Sequence, residues 1–323
     1  MIKIIGIIGG DPESINSEII AKAWRKKNSF RNLNILIIGN FDLLKKQFKK
    51  IGLKVRLNKI KNLDNCNFKK NLNIINVPLK FKNPYKIKSQ NKRKYILESF
   101  KIALDLIEKK KVLGLINCPV NKKDLLFGKK VSGVTEFLAK KKGVLGREAM
   151  LIYNKSLSVS PITTHIKLNE VVKNISKKKI IDKTLVINNF YKKRLKFRPK
   201  IGILGLNPHN DELRIKSEEK KIIIPAIKYL KSRGIKVIGP ISPDTSFLDY
   251  KKRGFNVLMG MYHDQVLTPF KAIFKFNAIN ITAGLPFLRV SPDHGVGKDI
   301  IRKNKASPES LIDSINFFNK INV

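Results

Sequence analysis

The alternation of short β-branched apolar runs with amphipathic segments constrains the fold of this chain most strongly. Eight runs are predicted to be strands: residues 4–8, 34–38, 72–77, 112–117, 200–206, 235–238, 256–259 and 278–282. Helical spacing of apolar residues between these runs predicts helices over residues 18–25, 41–51, 96–107, 180–191 and 308–318. Because parallel strands need a long crossover connection, this order predicts a mainly parallel α/β sheet.

Length and local signals refine that prediction. A chain of 323 residues with 42% hydrophobic content can form one large α/β domain or two smaller ones. Ser217 is a predicted N-cap for a helix that ends before Gly234, and Pro225 is expected to kink it. The stretch rich in Lys and Asn over residues 84–93 is the predicted mobile loop.

The charge balance is strongly positive, with 67 Lys and Arg against 24 Asp and Glu and a formal net charge of +43. Such a charge attracts polyanions. However, Lys, Ile and Asn are enriched along the whole chain, and no helix-turn-helix, zinc-finger or RNP pattern is present. We therefore interpret the charge as a compositional bias, with no specific nucleic-acid partner.

The cysteine pattern and the apolar runs indicate a cytoplasmic protein. Cys66 and Cys118 are isolated and form no C-x-x-C pair, which is typical of a reducing compartment. The apolar stretch at the N-terminus is too short for a signal peptide, and no run is long enough to cross a membrane.

All four histidines follow apolar runs and lie in segments dense in Pro, Asn, Asp or Gly: His165, His209, His263 and His294. Three neutral imidazoles and one open position make a catalytic metal site. For any one histidine alone a local turn is the favoured explanation, but the set favours a metal site. Asp264 either orients His263 or is an ordinary turn aspartate.

A second group of candidates carries anion-binding chemistry. Lys271, Asn280 and Arg289 follow the His263 segment, and Arg289 comes after the apolar sequence Gly-Leu-Pro-Phe, where a solvated charge is not expected. No G-x-G-x-x-G fingerprint or Walker A loop is present. A dinucleotide would therefore bind outside the usual Rossmann turn.

Taken together, these segments resemble the 4-hydroxythreonine-4-phosphate dehydrogenase family of pyridoxal 5′-phosphate biosynthesis. The resemblance covers nearly the whole chain. Its motifs are Gly10-Asp11-Pro12, Pro119-Val120-Asn121-Lys122, Thr135-Glu136-Phe137, Thr163-Thr164-His165, Gly205-Leu206-Asn207-Pro208-His209, Gly239-Pro240 with Asp244-Thr245, Tyr262-His263-Asp264-Gln265, and the segment from Gly284 to Gly295.

The resemblance implies the fold of the isocitrate and isopropylmalate dehydrogenases, which have two α/β domains and a central cleft. The first domain is expected over residues 1–128 plus 299–323, and the second over 129–298. The second would carry the metal and the dimer contacts. His165, His209 and His263 match the ligands of a divalent metal (Zn, Mg or Co) at the interface of a homodimer.

The resemblance also assigns roles to the other candidates. Val134, Thr135, Lys271, Asn280 and Arg289 match substrate-binding positions, and Asp264 is the candidate catalytic group. A second assignment concerns the cofactor: His294, Gly295 and Asp299 match a loop that contacts the adenosine end of NAD or NADP. The implied reaction oxidises the secondary alcohol of 4-phosphooxy-L-threonine, and decarboxylation then gives 3-amino-2-oxopropyl phosphate.

The sequence departs from the family at several positions. Val134 stands where the family usually has histidine, and it can neither donate nor accept a hydrogen bond. Ser14, Asn16 and Ser17 replace two glycines and a proline, so any of them that needs a positive φ would be strained. Ile301 and Arg302, in addition, replace a small pair of residues.

Three alternatives remain open at this point. A relative that oxidises another phosphorylated hydroxy acid, such as a threonate phosphate, would share the metal and NAD sites. A catalytically degraded homologue would bind both without turnover. A polyanion-binding protein would bind with a steep dependence on salt.

Overall fold

The structure, a computed structural model, describes residues 3–30, 32–63, 66–126 and 133–321. The chain divides into two compact units. Unit 1 comprises Met1–Val134 and Phe287–Ile321, and unit 2 comprises Thr135–Pro286. The predicted mixed α/β class is confirmed. The domain boundaries predicted at residues 128 and 298 remain predictions.

The described residues form twelve β-strands. They are β1 (Ile4–Ile8), β2 (Asn34–Gly39), β3 (Leu57–Ile60), β4 (Leu72–Asn76), β5 (Gly114–Asn117), β6 (Ala149–Tyr153), β7 (Ser158–Pro161), β8 (Ile201–Leu204), β9 (Val237–Ile241), β10 (Val257–Gly260), β11 (Ile279–Ala283) and β12 (Leu288–Pro292).

The same residues form ten α-helices. They are α1 (Asn16–Arg25), α2 (Phe41–Lys50), α3 (Ser89–Glu108), α4 (Lys122–Leu125), α5 (Val134–Lys141), α6 (Val171–Asn174), α7 (Lys177–Phe190), α8 (Ile224–Ser232), α9 (His263–Phe274) and α10 (Glu309–Lys320). None of these helices is long and apolar enough to span a membrane.

In unit 1 the strand order is β3-β4-β2-β1-β5-β12, and every neighbouring pair is parallel. The central strands are almost fully buried, with Ile5, Ile7 and Leu36 at most 1% exposed. Continuous apolar runs are typical of parallel strands that are covered on both faces. This burial explains why the runs at residues 4–8 and 34–38 were readable from the sequence.

In unit 2 the strand order is β11-β6-β7-β10-β8-β9. Strands β7, β10, β8 and β9 are parallel to their neighbours, whereas β6 is antiparallel to both β11 and β7. The core of this unit includes the buried side chains of Leu258, Val266 and Phe270. Helix α9 therefore packs its apolar face into the same core as β10.

Several elements were not predicted from the sequence: β3, β6, β7, β12, α5 and α9. Strand β7 reads Ser-Val-Ser-Pro, and serine and proline are not typical of strands, yet all four residues are buried. Helix α9 contains Pro269, which normally argues against a helix interior. In both elements, tertiary packing outweighs local propensity.

The helix predicted after Ser217 is confirmed in a modified form. Ser217 Oγ accepts a hydrogen bond from Lys220 N over 3.2 Å, and Gly234 follows the helix with φ 72°. A π-helical turn over Glu219–Ile223 comes first, and Pro225 is the second residue of α8. The proline therefore lies in the first turn of α8, where its missing N–H is tolerated.

The predicted loop over residues 84–93 is wrong in its second half, because α3 begins at Ser89. Lys92 in this helix is only 6% exposed. Its Nζ lies 3.0 Å from Glu13 Oε2 and 3.1 Å from Asp124 Oδ2. A lysine is rarely buried unless it is paired, and no local sequence pattern indicates these partners.

The strain expected at the three replaced loop positions is absent. Ser14, Asn16 and Ser17 do not have positive φ. Instead, Ser14 Oγ donates to the carbonyl oxygen of Asp11 over 2.5 Å, and Asn16 Nδ2 donates to that of Pro119 over 2.8 Å. The side chains that replace glycine therefore stabilise the loop through hydrogen bonds.

Candidate active site

Three of the four histidines follow three neighbouring parallel strands of unit 2. His165 comes four residues after β7, His209 five after β8, and His263 three after β10. Strand β10 lies between β7 and β8 and is parallel to both. Because the carboxyl ends of parallel strands meet at one edge of a sheet, this order directs three distant segments to the same edge.

His165 and His263 are brought together. Their ring centroids lie 5.6 Å apart with an interplanar angle of 39°. Two imidazoles bound to one tetrahedral ion would have centroids roughly 5 Å apart. His263 Nδ1 is 2.8 Å from Asp264 Oδ1, which leaves Nε2 for a ligand. The two imidazoles therefore have the spacing of two ligands of one divalent metal ion such as zinc.

His209 lies in a different local environment. It begins a left-handed turn in which His209, Asn210, Asp211, Glu212 and Leu213 all have φ between 48° and 59°. Left-handed conformations of non-glycine residues are costly and are concentrated at functional sites. This turn is therefore a candidate functional segment.

Asp244 follows β9 and lies near His209. The Ser242 hydroxyl donates to Asp244 Oδ1 over 2.7 Å and lowers the pKa of Asp244, and His209 lowers it further. Within the ranges that the structure describes, no group of three metal-ligating side chains is assembled. The structure thus pairs His165 with His263 and places His209 near Asp244.

The segment that carries His165 is tied to its neighbours. Thr163 donates to the carbonyl oxygen of Met261 through its backbone N (3.1 Å) and through Oγ1 (2.7 Å). Thr164 Oγ1 donates to Glu136 Oε1 over 3.1 Å. These bonds connect the His165 segment to the His263 segment and to α5.

The predicted substrate-binding residues of unit 2 lie on three elements. Lys271 is on α9, with its Nζ 5.2 Å from the centroid of the Phe276 ring. Asn280 is on β11, and its Oδ1 is buried and accepts no hydrogen bond in the part of the chain described. A buried amide oxygen of this kind is expected to have a partner, so a ligand is one explanation.

Helix α5 begins with two more candidate residues, Val134 at the boundary of unit 1 and Thr135 at the start of unit 2. Val134 is its first residue and is half-buried. Thr135 is 9% exposed, and its Oγ1 lies 3.2 Å from Thr282 Oγ1 on β11. The hydroxyl is held in place by the sheet, whereas Val134 offers only apolar surface.

Arg289 belongs to unit 1 and is only 3% exposed. Its Nε donates to Asn117 Oδ1 over 2.6 Å, and Asn117 ends β5, the neighbour of β12. A buried guanidinium must be paired or hydrogen-bonded. Sequence reasoning missed Asn117, although its position at the end of an apolar strand and before a family motif was the available signal.

The candidate cofactor loop also belongs to unit 1. His294 Nδ1 lies 2.9 Å from the carbonyl oxygen of Gly295, and Asp299 is exposed. Ile15 N donates to the carbonyl oxygen of Val296 over 3.1 Å. The loop therefore rests on the loop at the N-terminal end of α1.

A side chain at position 295 would meet no protein atom. Gly295 has no positive φ, and a Cβ placed there has no atom within 4 Å. Neither backbone conformation nor packing within the described chain explains the glycine. Close approach of a ligand to the backbone is one reason for glycine at such a position.

An α/β fold with imidazole, hydroxyl, amide and cationic side chains placed beyond its strands defines an enzyme that acts on a small polar substrate. Comparison with known proteins narrows this class. The family described as pyridoxal phosphate biosynthetic protein PdxA matches residues 31–318. The chain belongs to this family and is an oxidoreductase of the PdxA type.

Individual relatives cover nearly the whole chain. A 4-hydroxythreonine-4-phosphate dehydrogenase from Sulfurihydrogenibium sp. (strain YO3AOP1) is 40% identical over 321 residues, covering 98% of this chain and 97% of the relative. A D-threonate 4-phosphate dehydrogenase from Salmonella typhimurium is 33% identical and covers 97% of each chain. The crystal structure of 4-hydroxythreonine-4-phosphate dehydrogenase from Klebsiella pneumoniae has a TM-score of 0.85 at 30% identity, covering 99% of this chain and 98% of that one.

Proposed function

We propose that this oxidoreductase oxidises the secondary alcohol of 4-phosphooxy-L-threonine with NAD or NADP, in a site that uses a divalent metal ion. The oxidised β-keto acid then loses carbon dioxide and gives 3-amino-2-oxopropyl phosphate. The observation that carries the proposal is the placement of three histidines after three adjacent parallel strands, with His165 and His263 5.6 Å apart. The names of the relatives support the substrate.

His165, His209 and His263 would hold the ion. When bound, the ion would lower the pKa of the substrate hydroxyl, and a nicotinamide cofactor would supply the hydride acceptor. Asp264 accepts a hydrogen bond from His263 Nδ1, which would leave His263 Nε2 to hold the ion. Asp264 is also our candidate for relaying the proton that leaves the hydroxyl.

The remaining polar groups would bind the substrate. Lys271 and Arg289 would bind its phosphate and carboxylate by charge. Asn280 Oδ1 would accept a hydrogen bond from the ammonium or hydroxyl group, which would satisfy an atom that is buried without a partner in the described chain. The hydroxyl of Thr135 would add a neutral hydrogen bond, and Val134 would contribute only an apolar contact.

The loop with His294, Gly295 and Asp299 would bind the adenosine end of the cofactor. The open space at Gly295 supports this assignment, because a backbone without a Cβ can approach a ribose closely. Asp299 is exposed and available to accept a hydrogen bond from a ribose hydroxyl.

The proposal includes a homodimer with the metal site at the interface. Exposed apolar side chains lie in the connections that follow three parallel strands of unit 2: Leu168 after β7 is 70% exposed, Ile215 after β8 82% and Leu248 after β9 82%. Exposed apolar residues grouped around a polar site are typical of a protein–protein contact. The partner that this surface fits is a second copy of the chain.

The test is NAD reduction with 4-phosphooxy-L-threonine, with and without a chelator. We expect turnover that requires metal. We also expect kcat/KM to fall at least about 100-fold in His209→Ala, because loss of a metal ligand should reduce activity at least as much as loss of a group that hydrogen-bonds to a ligand. Lys196→Ala, at an exposed left-handed residue outside the candidate site (φ 63°), is the matched control and should keep its activity. Metal-independent turnover, or an active His209→Ala, would contradict the proposal.

D-Threonate 4-phosphate is the second candidate substrate. The 33% identity to an enzyme named for that substrate favours keeping it, and so does the absence of a polar side chain at position 134. The two substrates differ in the group beside the carboxylate, which is an amine in one and a hydroxyl in the other. Their kcat/KM values, measured on the same preparation, decide between them.

A further inference from the structure

We infer that Gln265 is a positioning residue that fixes the segment leading to His209 against the segment leading to His263. The inference rests on the proposed metal-binding role of these histidines. It concerns a side chain that contacts neither histidine, so its effect would pass through the backbone.

Both ends of the Gln265 amide are used. Its Oε1 accepts a hydrogen bond from the backbone N of Met261 over 2.6 Å. Its Nε2 donates to the carbonyl oxygen of Gly205 over 2.8 Å. Met261 lies two residues before His263, and Gly205 four residues before His209. Among side chains of this length, only an amide both donates and accepts at neutral pH.

Glycine at the ends of two strands, Gly260 in β10 and Gly205 after β8, leaves room for neighbouring side chains. A Cβ at Gly260 would lie 2.7 Å from Gln265 Oε1 and 2.6 Å from Val266. A Cβ at Gly205 would lie 2.0 Å from Asn210 Oδ1. Real Cβ atoms do not approach so closely, so glycine at both positions makes room for the contacts of the two segments.

The buried carboxylate of Glu219 also binds the backbone of the segment that leads to His209. Glu219 is 0% exposed, and its Oε1 accepts hydrogen bonds from the backbone N of Leu206 (2.8 Å) and Asn207 (2.9 Å). Glu219 begins the π-helical turn before α8, a rare geometry that is frequent at functional sites. The His209 segment is thus fixed by Glu219 on one side and by Gln265 on the other, and Gln265 also links it to the His263 segment.

Gln265→Glu is the sharpest test. Glutamate has the same size and keeps an acceptor for Met261 N, but it places an oxygen against the carbonyl oxygen of Gly205. We expect the affinity of the metal-free protein for Co²⁺ to fall about 10- to 100-fold, as for other outer-shell partners of metal ligands. The visible absorption band of the bound Co²⁺ should also shift, because the ligand geometry changes.

Tyr191→Phe is the matched control. It removes another buried hydrogen bond of unit 2, from Tyr191 Oη to Ser158 Oγ (2.8 Å), at the opposite end of β7 from His165. This variant should bind Co²⁺ within about twofold of the wild type. A purely structural role for Gln265 predicts that both variants lose stability and that neither changes the Co²⁺ affinity or spectrum.

The outcomes separate the two claims. If the wild type binds Co²⁺ and Gln265→Glu binds it equally well with the same spectrum, the inference is wrong and the proposed function stands. If the wild type itself binds no Co²⁺, the proposed function fails and the inference fails with it. If Gln265→Glu does not fold, Gln265→Met replaces it, because methionine keeps the length, removes both hydrogen bonds and adds no charge. Undiminished Co²⁺ binding by Gln265→Met would then overturn the inference.

Discussion

At the scale of single residues, Ser14 and Asn16 stand where the family has glycine, and their side chains hold the loop through hydrogen bonds. Asn16 is 2% exposed, and its amide bridges the carbonyl oxygens of Asp11 (3.3 Å) and Pro119 (2.8 Å). Ser14 Oγ accepts from Asn16 N over 3.1 Å. The loop therefore keeps its shape through buried hydrogen bonds, and the departure from the family motif is not a defect of the fold.

This bridge predicts a stability change at position 16. Asn16→Ala should lower the free energy of unfolding by about 1–3 kcal/mol, because it removes two buried hydrogen bonds, from the Asn16 amide to the carbonyl oxygens of Asp11 and Pro119. Asn16→Gly should cost roughly 0.4–1 kcal/mol more, because glycine adds freedom to the unfolded chain. Urea denaturation of the three proteins measures both effects. An Asn16→Gly variant as stable as the wild type would contradict the bridge.

At the scale of elements, the connections that follow strands carry most of the candidate site residues. Helix α9 places His263, Asp264 and Lys271 on one rigid element, and its buried residues anchor it to the core of unit 2. The loop after β12, in unit 1, carries the candidate cofactor residues. Its Gly297 packs against the side chain of Ile15. These functional side chains therefore stand on supported backbone.

For the loop after β12, we predict a substitution that weakens cofactor binding and leaves stability unchanged. Gly295→Ala should leave the free energy of unfolding within about 0.5 kcal/mol of the wild type, as for surface substitutions without a special contact. The same variant should bind NADH at least several-fold more weakly, because the new Cβ would occupy space reserved for the cofactor. NADH fluorescence titration measures the affinity. Equal affinity for the two proteins would remove Gly295 from the proposed cofactor site.

At the scale of the whole molecule, the surface combines a net charge of +43 with exposed apolar residues near the histidine segments. The charge favours solubility and opposes close association through self-repulsion. A dimer therefore needs a substantial apolar contact, and screening by salt should favour it. Leu168, Ile215 and Leu248 are the candidates for that contact.

We predict that the protein is a dimer in solution and that Leu248→Glu shifts it towards the monomer. A buried, unpaired carboxylate at an interface makes the free energy of association less favourable by several kcal/mol. The dimer should therefore dissociate at concentrations where the wild type stays associated. Light scattering coupled to size exclusion at moderate salt reports the mass. Leu97→Glu, on α3 of unit 1, is the control and should stay dimeric. A monomeric wild type would contradict the proposed interface.

Much of the fold was readable from local sequence. The buried strands β1, β2, β4 and β5 appear as β-branched runs because a parallel sheet is covered on both faces. Strand β7 and helix α9 were not readable, because their polar residues and proline are tolerated only in their tertiary surroundings. The same limit explains why Lys92 was assigned to a mobile loop although it is buried between Glu13 and Asp124.

The sequence by itself determined the α/β class, the candidate residues and the family, because periodicity and ordered motifs are local properties of a chain. Only the tertiary structure decided which strands are neighbours. The order β7-β10-β8 brings together segments about 100 residues apart, pairs His165 with His263, and lets Gln265 reach Gly205. Asn117 likewise meets Arg289 from 172 positions away. Such contacts depend on packing and hydrogen bonds between distant residues, and no local pattern records them.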